Sequence, residues 1–254
     1  MPFEFRGLPA APKLSSLGRR VRLDEHEHRN PYLSVYLTGA YRERSGSGDA
    51  VINRPAMVLH PAGAIHADET GNAGLDALVI EMDAGWLDDI VPEFQPQGRS
   101  AYWTGAGASK GAAALARAWL RPKADPNSAV ETLSALLQSF TARAGEGPLA
   151  PAWLDDGICR ASGSSVSAAR LLRRNAASVA RTVAAHRGES LREARRRERV
   201  GRAALTIRDT DLSLAAVAAE CGFCDQAHMN RGFKAIFHRT PGELRERWAS
   251  SLVA

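Results

Sequence analysis

Apolar and polar positions change period twice along this chain. Between Arg19 and Met82 they alternate in short runs broken by Gly, Pro and Asn. VRLDEHEH, LSVYLTG, YRERSGSGDAVIN, AMVLHPAG and DALVIEM each read as a strand, and their close spacing predicts a β-sandwich or barrel with a loop at GSG 46–48. Gly85-Trp86-Leu87 predicts a short helix. Lys110 to Leu120 and Asn127 to Arg143 then take a helical period, the second with Val130, Leu133, Leu136, Leu137 and Phe140 on one face. AGEGPLAP at 144–151 breaks that pattern as a linker.

The most structured stretch runs from Asp211 to Trp248. Ser213 caps a helix whose apolar face is Leu214, Val217, Ala218 and Cys221. Gly222 follows, where a left-handed residue ends a helix. Asp225 then caps a second helix in which Met229, Phe233, Ile236 and Phe237 face a core. Thr240-Pro241-Gly242-Glu243 starts a third with a capping box and proline at the first helical position. The outer side of the middle helix presents Gln226, Ala227, His228, Asn230, Arg231 and Lys234. Amide side chains fit adenine, the Arg fork fits guanine, and Lys supplies a charge for phosphate. A Gly-turned helix pair with such a face is the helix-turn-helix design, which places its second helix in the DNA major groove.

The pattern recurs fifty residues earlier. Ala177, Arg181, Ala185 and Glu193 match Ala227, Arg231, Ala235 and Glu243, while Val179 and Val183 take the places of Met229 and Phe233. Ser190 and Glu193 repeat the capping box, and a basic helix from Leu191 to Ile207 joins the two units. Leu172-Arg173-Arg174-Asn175 stands where the Gly turn belongs. The outer face of this copy is Ala177, Ser178, Ala180 and Arg181, so Arg181 alone has an obvious route to a base edge. The second unit is therefore the expected reader, and the first adds backbone contacts.

CGFCDQAHMNRGFKAIFHRTPGELR resembles the second helix-turn-helix of the AraC/XylS family of bacterial transcription regulators. The resemblance lies in the Cys-Gly-Phe turn, Asp-Gln opening the helix, Arg231-x-Phe233-Lys234 and the following Thr-Pro. It implies two units entering successive major grooves about 34 Å apart. Farther upstream, His26-x-His28, Gly39 and Pro61-x-Gly63-x-x-His66 resemble the two half-motifs of the cupin barrel, the fold of the AraC-type sensor domain. Metal-binding cupins use two histidines of the first motif and one of the second, here His26, His28 and His66. Tyr32 occupies the usual glutamate position, and Thr70 replaces the frequent terminal Asn. The reading adopted is an effector pocket walled by His26, His28, Tyr32, His60 and His66, with no cofactor and no metal.

Charge supports this division of labour. Residues 150–254 carry 18 Lys and Arg against 11 Asp and Glu, a net of +7, whereas residues 1–149 carry 15 against 17, a net of −2. A polyanion partner confined to the C-terminal half follows. Three cysteines argue against a disulfide framework, and no apolar run or leader directs the chain to a membrane or export, so a cytoplasmic protein is expected. Cys221-Gly-Phe-Cys224 remains a candidate thiol pair. No nucleophile triad, phosphate loop or paired carboxylates indicate an enzyme. The expected protein is two-domain α+β: a cupin-like barrel over 1–105, a helical dimerisation segment and linker over 106–149, and an all-α double helix-turn-helix over 150–254. Its expected partners are double-stranded DNA, a small-molecule effector and a second copy of itself, with RNA polymerase as a further candidate. The competing class is a cupin metalloenzyme with an accessory helical domain.

Overall fold

A computed structural model describes residues 10–45, 48–52, 55–92, 100–141 and 175–251. The linker at 144–151, the Leu172–Arg174 stretch, Cys159 and most of the GSG loop lie outside them. Seven strands form one antiparallel sheet: β1 (Ala10–Leu17), β2 (Arg22–His26), β3 (Tyr32–Ser45), β4 (Gly48–Ile52), β5 (Ala56–His60), β6 (His66–Met82) and β7 (Ala101–Trp103). β3 and β6 pair along most of their length and form its spine. β1 and β5 flank the half holding Tyr32–Tyr36, and β2 and β4 flank the other.

The sequence pattern divides this spine at glycine-containing loops that the structure does not have. LSVYLTG and YRER are one strand, interrupted by irregular pairing between Tyr36 and Thr38 and between Gly39 and Tyr41. Gly39 (φ 87°) backs onto Gly74 (φ 65°), and a Cβ on Gly39 would lie 2.1 Å from the Gly74 carbonyl oxygen. The glycines bend the sheet rather than end its strands. β1 lacks clear alternation and contains Pro12, which an edge strand paired only with β6 tolerates.

Alternation assigns the two faces. Tyr36, Tyr41, Val58, Leu75 and Ala77 cluster in the hollow of the sheet. Leu33, Val35, Met57, Leu59, Leu78 and Ile80 point the other way, into a core shared with the helices. Those helices are α1 (Ala84–Ile90), α2 (Gly105–Leu120), α3 (Pro126–Thr141), α4 (Ala176–Arg187), α5 (Leu191–Asp209), α6 (Leu214–Glu220), α7 (Gln226–Phe237) and α8 (Pro241–Ser251). The same apolar cluster continues through Leu115 and Trp119 of α2 to Val200 of α5 and Phe233 of α7. The helix-facing side of the sheet and the helical domain thus share one apolar core. Leu133 and Leu137 of α3 are buried within it, so that helix spends its apolar stripe on its own chain.

Candidate DNA-reading and effector sites

The expected local signals set the second helix-turn-helix. The Ser213 side chain accepts from Ala216 N at 3.2 Å and caps α6, and Gly222 turns the chain at φ 77°. The Asp225 carboxylate accepts from His228 N at 2.5 Å and caps α7. Thr240 and Glu243 exchange side-chain and backbone hydrogen bonds, 2.6 Å from Thr240 N and 3.3 Å from Glu243 N. Met229, Phe233 and Phe237 are fully buried, which leaves Gln226, Ala227, Arg231 and Lys234 exposed on the opposite side.

Two members of the expected reading face are partly committed elsewhere. His228 is half-buried, its Nδ1 accepting from Cys224 N at 3.4 Å and its ring meeting Phe223 edge-on. Asn230 is also half-buried, with Oδ1 turned away from solvent. Sequence reasoning passed over Arg199, which donates to the Gly222 carbonyl at 3.1 Å and lies over the Phe223 ring, bracing the turn. Cys221 is buried and Cys224 exposed; burial raises the Cys221 thiol pKa, which opposes thiolate chemistry there.

In the first unit, Asn175 caps α4 by accepting from Ala177 N and Ser178 N, and Gly188 closes it in the left-handed conformation. Val179 and Val183 are buried; Ala177 and Arg181 are exposed, and Ser178 and Ala180 are half-exposed. The Ser190–Glu193 capping box starts α5.

Hydrogen bonds from Thr240 hold the Glu243 carboxyl pKa below its ordinary value. This contribution is complete above the unfolded pKa near 4.3 and is lost as pH falls through the lower folded value. Thr240→Ala is expected to cost ~1 kcal/mol at neutral pH. The difference from the parent should shrink in urea titrations below pH 4. A pH-independent difference would mean the threonine acts through packing alone.

The hollow of the sheet holds a cavity of about 350 Å³. Tyr32, Tyr36 and Tyr41 form its β3 wall, with His26, His28 and Asp68 at one side and Lys13 and Glu81 at another. His60 and His66, expected on the same wall, are buried and absent from it. The Tyr32 ring stacks on His60, and its hydroxyl bonds His66 Nε2 at 3.0 Å. Beneath lies Glu43, fully buried, which accepts from Tyr41, Tyr102 and Ser100. Burial, followed by the neighbouring imidazoles, lowers the His60 pKa, while burial raises that of Tyr32 far above the phenol range. Burial thus favours the neutral forms of Tyr32 and His60 beside buried Glu43.

His26, His28 and His66 offer nitrogen atoms within 4.8 Å of one another. His26 Nδ1 faces the Asp24 carbonyl and His66 Nδ1 the Ala64 carbonyl, leaving both Nε2 atoms directed at Asp68 Oδ2, 3.7 Å from each. Outer contacts of this kind fix imidazole ligands. Asp68, which the sequence pattern did not single out, thus places a carboxylate beside two of the three imidazoles.

A bent antiparallel sheet holding a cavity thus packs against helices that include the capped helix-turn-helix α6–α7. Residues 168–247 match the family described as helix-turn-helix domain. The HTH-type transcriptional regulator GlxA of Rhizobium meliloti is 35% identical over 65 residues, 26% of this chain and 20% of that protein. The chain thus spans about a fifth of that relative's length. ToxT from Vibrio cholerae O395 aligns over 94% of this chain and 97% of its own at 12% identity, with a TM-score of 0.42. A cupin superfamily protein from Desulfitobacterium hafniense DCB-2 aligns over 30% of this chain and 68% of its own at 19% identity, TM-score 0.28.

Proposed function

We propose that this protein is a sequence-specific DNA-binding transcription regulator whose sheet cavity takes a small-molecule effector. The observation carrying this reading is the exposed Gln226, Arg231 and Lys234 face of α7, on a helix whose opposite side is fully buried. Arg231 and Gln226 read base edges, with Asn230 joining them after a side-chain rotation; Lys234 neutralises phosphate. Ala177, Ser178, Ala180 and Arg181 of α4 lie along the neighbouring groove, and His228 supports the turn. Among the described residues no helix is long and apolar enough to cross a membrane. A cytoplasmic site of action accords with the DNA role.

Three strands link cavity and reader. Ser15 and Leu17, Tyr36, and Leu75 and Ala77 line the cavity. Their neighbours contact the helical domain: Trp248 Nε1 donates to Ser16 Oγ at 3.1 Å, Arg208 to the Leu17 carbonyl at 3.2 Å, and Arg197 to the Leu37 carbonyl at 2.6 Å. Ser16 and Thr38 both donate to buried Asp76. An effector that moves these strands shifts the joint, provided it binds the two arrangements unequally. Dimerisation through 106–149 would use the outer side of α3, since its inner stripe is occupied. RNA polymerase is a further partner for a promoter-bound dimer.

Selection of fragments from a random duplex library at near-physiological salt tests the DNA reading. Enrichment of one site with half-sites about a helical turn apart is expected; equal retention of all fragments, lost smoothly with salt, would leave only a basic surface.

The imidazole cluster favours a second reading, a metal-dependent barrel. His26, His28 and His66 fit a zinc-like or iron-like divalent ion, which would supply Lewis acidity, with Asp68 close by. Near-stoichiometric metal in protein purified without chelator, lost in His26→Ala, would support it. Metal-free protein that still selects its site leaves the cavity to an organic effector.

A further inference from the structure

Helix α2 belongs to the part of the chain that precedes the helix-turn-helix units, yet it lies against the C-terminal ends of both proposed reading helices. At its start, Ser109 Oγ donates to the Arg187 carbonyl at the end of α4, 2.7 Å away. Gly188 closes so tightly on the same turn that a Cβ would come within 2.3 Å of the Ala106 backbone. At the far end, Arg117 and Arg121 lie near His238, the left-handed cap of α7, and their charges add to burial in lowering its pKa. The helix thus bridges the two units over a length of about 24 Å at 1.5 Å per residue.

Its outer side is a row of cations. Lys110, Ala113, Arg117 and Arg121 recur at spacings of three and four and are all exposed, which places them on one stripe. The helix GAGASKGAAALARAWL contains no acid. Lys123 continues the charge around the corner into a groove shared with α3. Asp125, the acid in that groove, caps α3 by accepting from Asn127 N and Ser128 N, both at 3.2 Å. Among the described residues none of Lys110, Arg117, Arg121 and Lys123 has an ion-pair partner. Four unneutralised cations on and just beyond a helix seated against both reading helices match a regularly charged polyanion better than a compact anion.

We propose that this row is a DNA-backbone contact, engaging phosphates between the two half-sites and adding sequence-independent affinity from the sensor side of the joint. The inference rests on the DNA-binding reading above. It also gives the joint a second consequence, because any shift of α2 relative to α4 and α7 moves these cations relative to the duplex.

The test is the salt dependence of binding by the full chain to its selected duplex and to a random one. Combining Arg117→Gln, Arg121→Gln and Lys123→Gln should weaken both duplexes alike and flatten the slope of log K against log salt by roughly 2–3, since each lost phosphate contact removes about 0.9. Ala113→Lys, on the same stripe, should steepen the slope by about 1. Thermal midpoints near the parent's are expected, because all four positions are exposed. An unchanged slope in both variants, with the parent still selecting its site, overturns the inference and leaves the regulator intact. A parent that selects no duplex overturns both.

Discussion

Replacing Arg231 by alanine is expected to cost ~1–3 kcal/mol on the selected site and to relax preference at one base position, leaving fold stability unchanged. The side chain is exposed on α7, beyond Gln226, and the residues that flank it in sequence at two positions' distance, Met229 and Phe233, hold the helix from the opposite side. Losing it removes a directional fork without opening a cavity. Lys234→Ala, one turn nearer the C-terminus, should instead weaken specific and random duplex alike and reduce the salt slope by about 1. Comparing the two variants on both duplexes separates reading from neutralisation. Equal loss on specific and random DNA for Arg231→Ala would remove its base-reading role.

Gly39→Ala is expected to be the most damaging small substitution in the barrel. Its φ of 87° disfavours any side chain, and the new Cβ would stand 2.1 Å from the Gly74 carbonyl oxygen, a backbone atom that cannot step aside alone. Strain and clash together should cost at least ~4 kcal/mol, a large part of ordinary domain stability. Gly63→Ala provides the control. Gly63 has a similar φ of 73°, but an added Cβ meets nothing within 4 Å, so ~1 kcal/mol is expected. Denaturant midpoints of the two variants decide the point: equal losses would show that the left-handed conformation, and not the Gly39–Gly74 crossing, sets the cost. Because Thr38 and Asp76 neighbour these glycines and touch one another at 2.6 Å, Gly39→Ala should also disturb the joint with α5.

The helical half was legible because its determinants are local. Ser213, Asp225, Thr240 with Glu243, and Ser190 with Glu193 cap helices within one turn of themselves, and Met229 and Phe233 follow the helical period. The barrel was legible less completely. Alternation revealed five strand-like runs, but it divided β3 at Gly39, shortened β6 to its apolar half, and passed over β1 and β7. Glycine reads as punctuation in a sequence; only the Gly39–Gly74 approach shows that here it bends a continuous ladder.

The candidate sites divide in the same way. Sequence placed Gln226, Arg231 and Lys234 on one exposed face because helical spacing fixes it. It also grouped five aromatic and imidazole residues in the barrel, which the structure separates into wall (His26, His28, Tyr32) and underlayer (His60, His66). Asp68, Glu43 and Asp76 were passed over, since an isolated carboxylate carries no spacing signal. Arg197, Arg208 and Trp248 carry no sequence signal of the strands they bond, 160, 191 and 232 residues away. Local periodicity and capping therefore determined which helices form and which side of α7 faces outward. Only tertiary packing decided that the strands walling the cavity bury their other face in one core with the reader, because that depends on contacts between segments far apart in the chain.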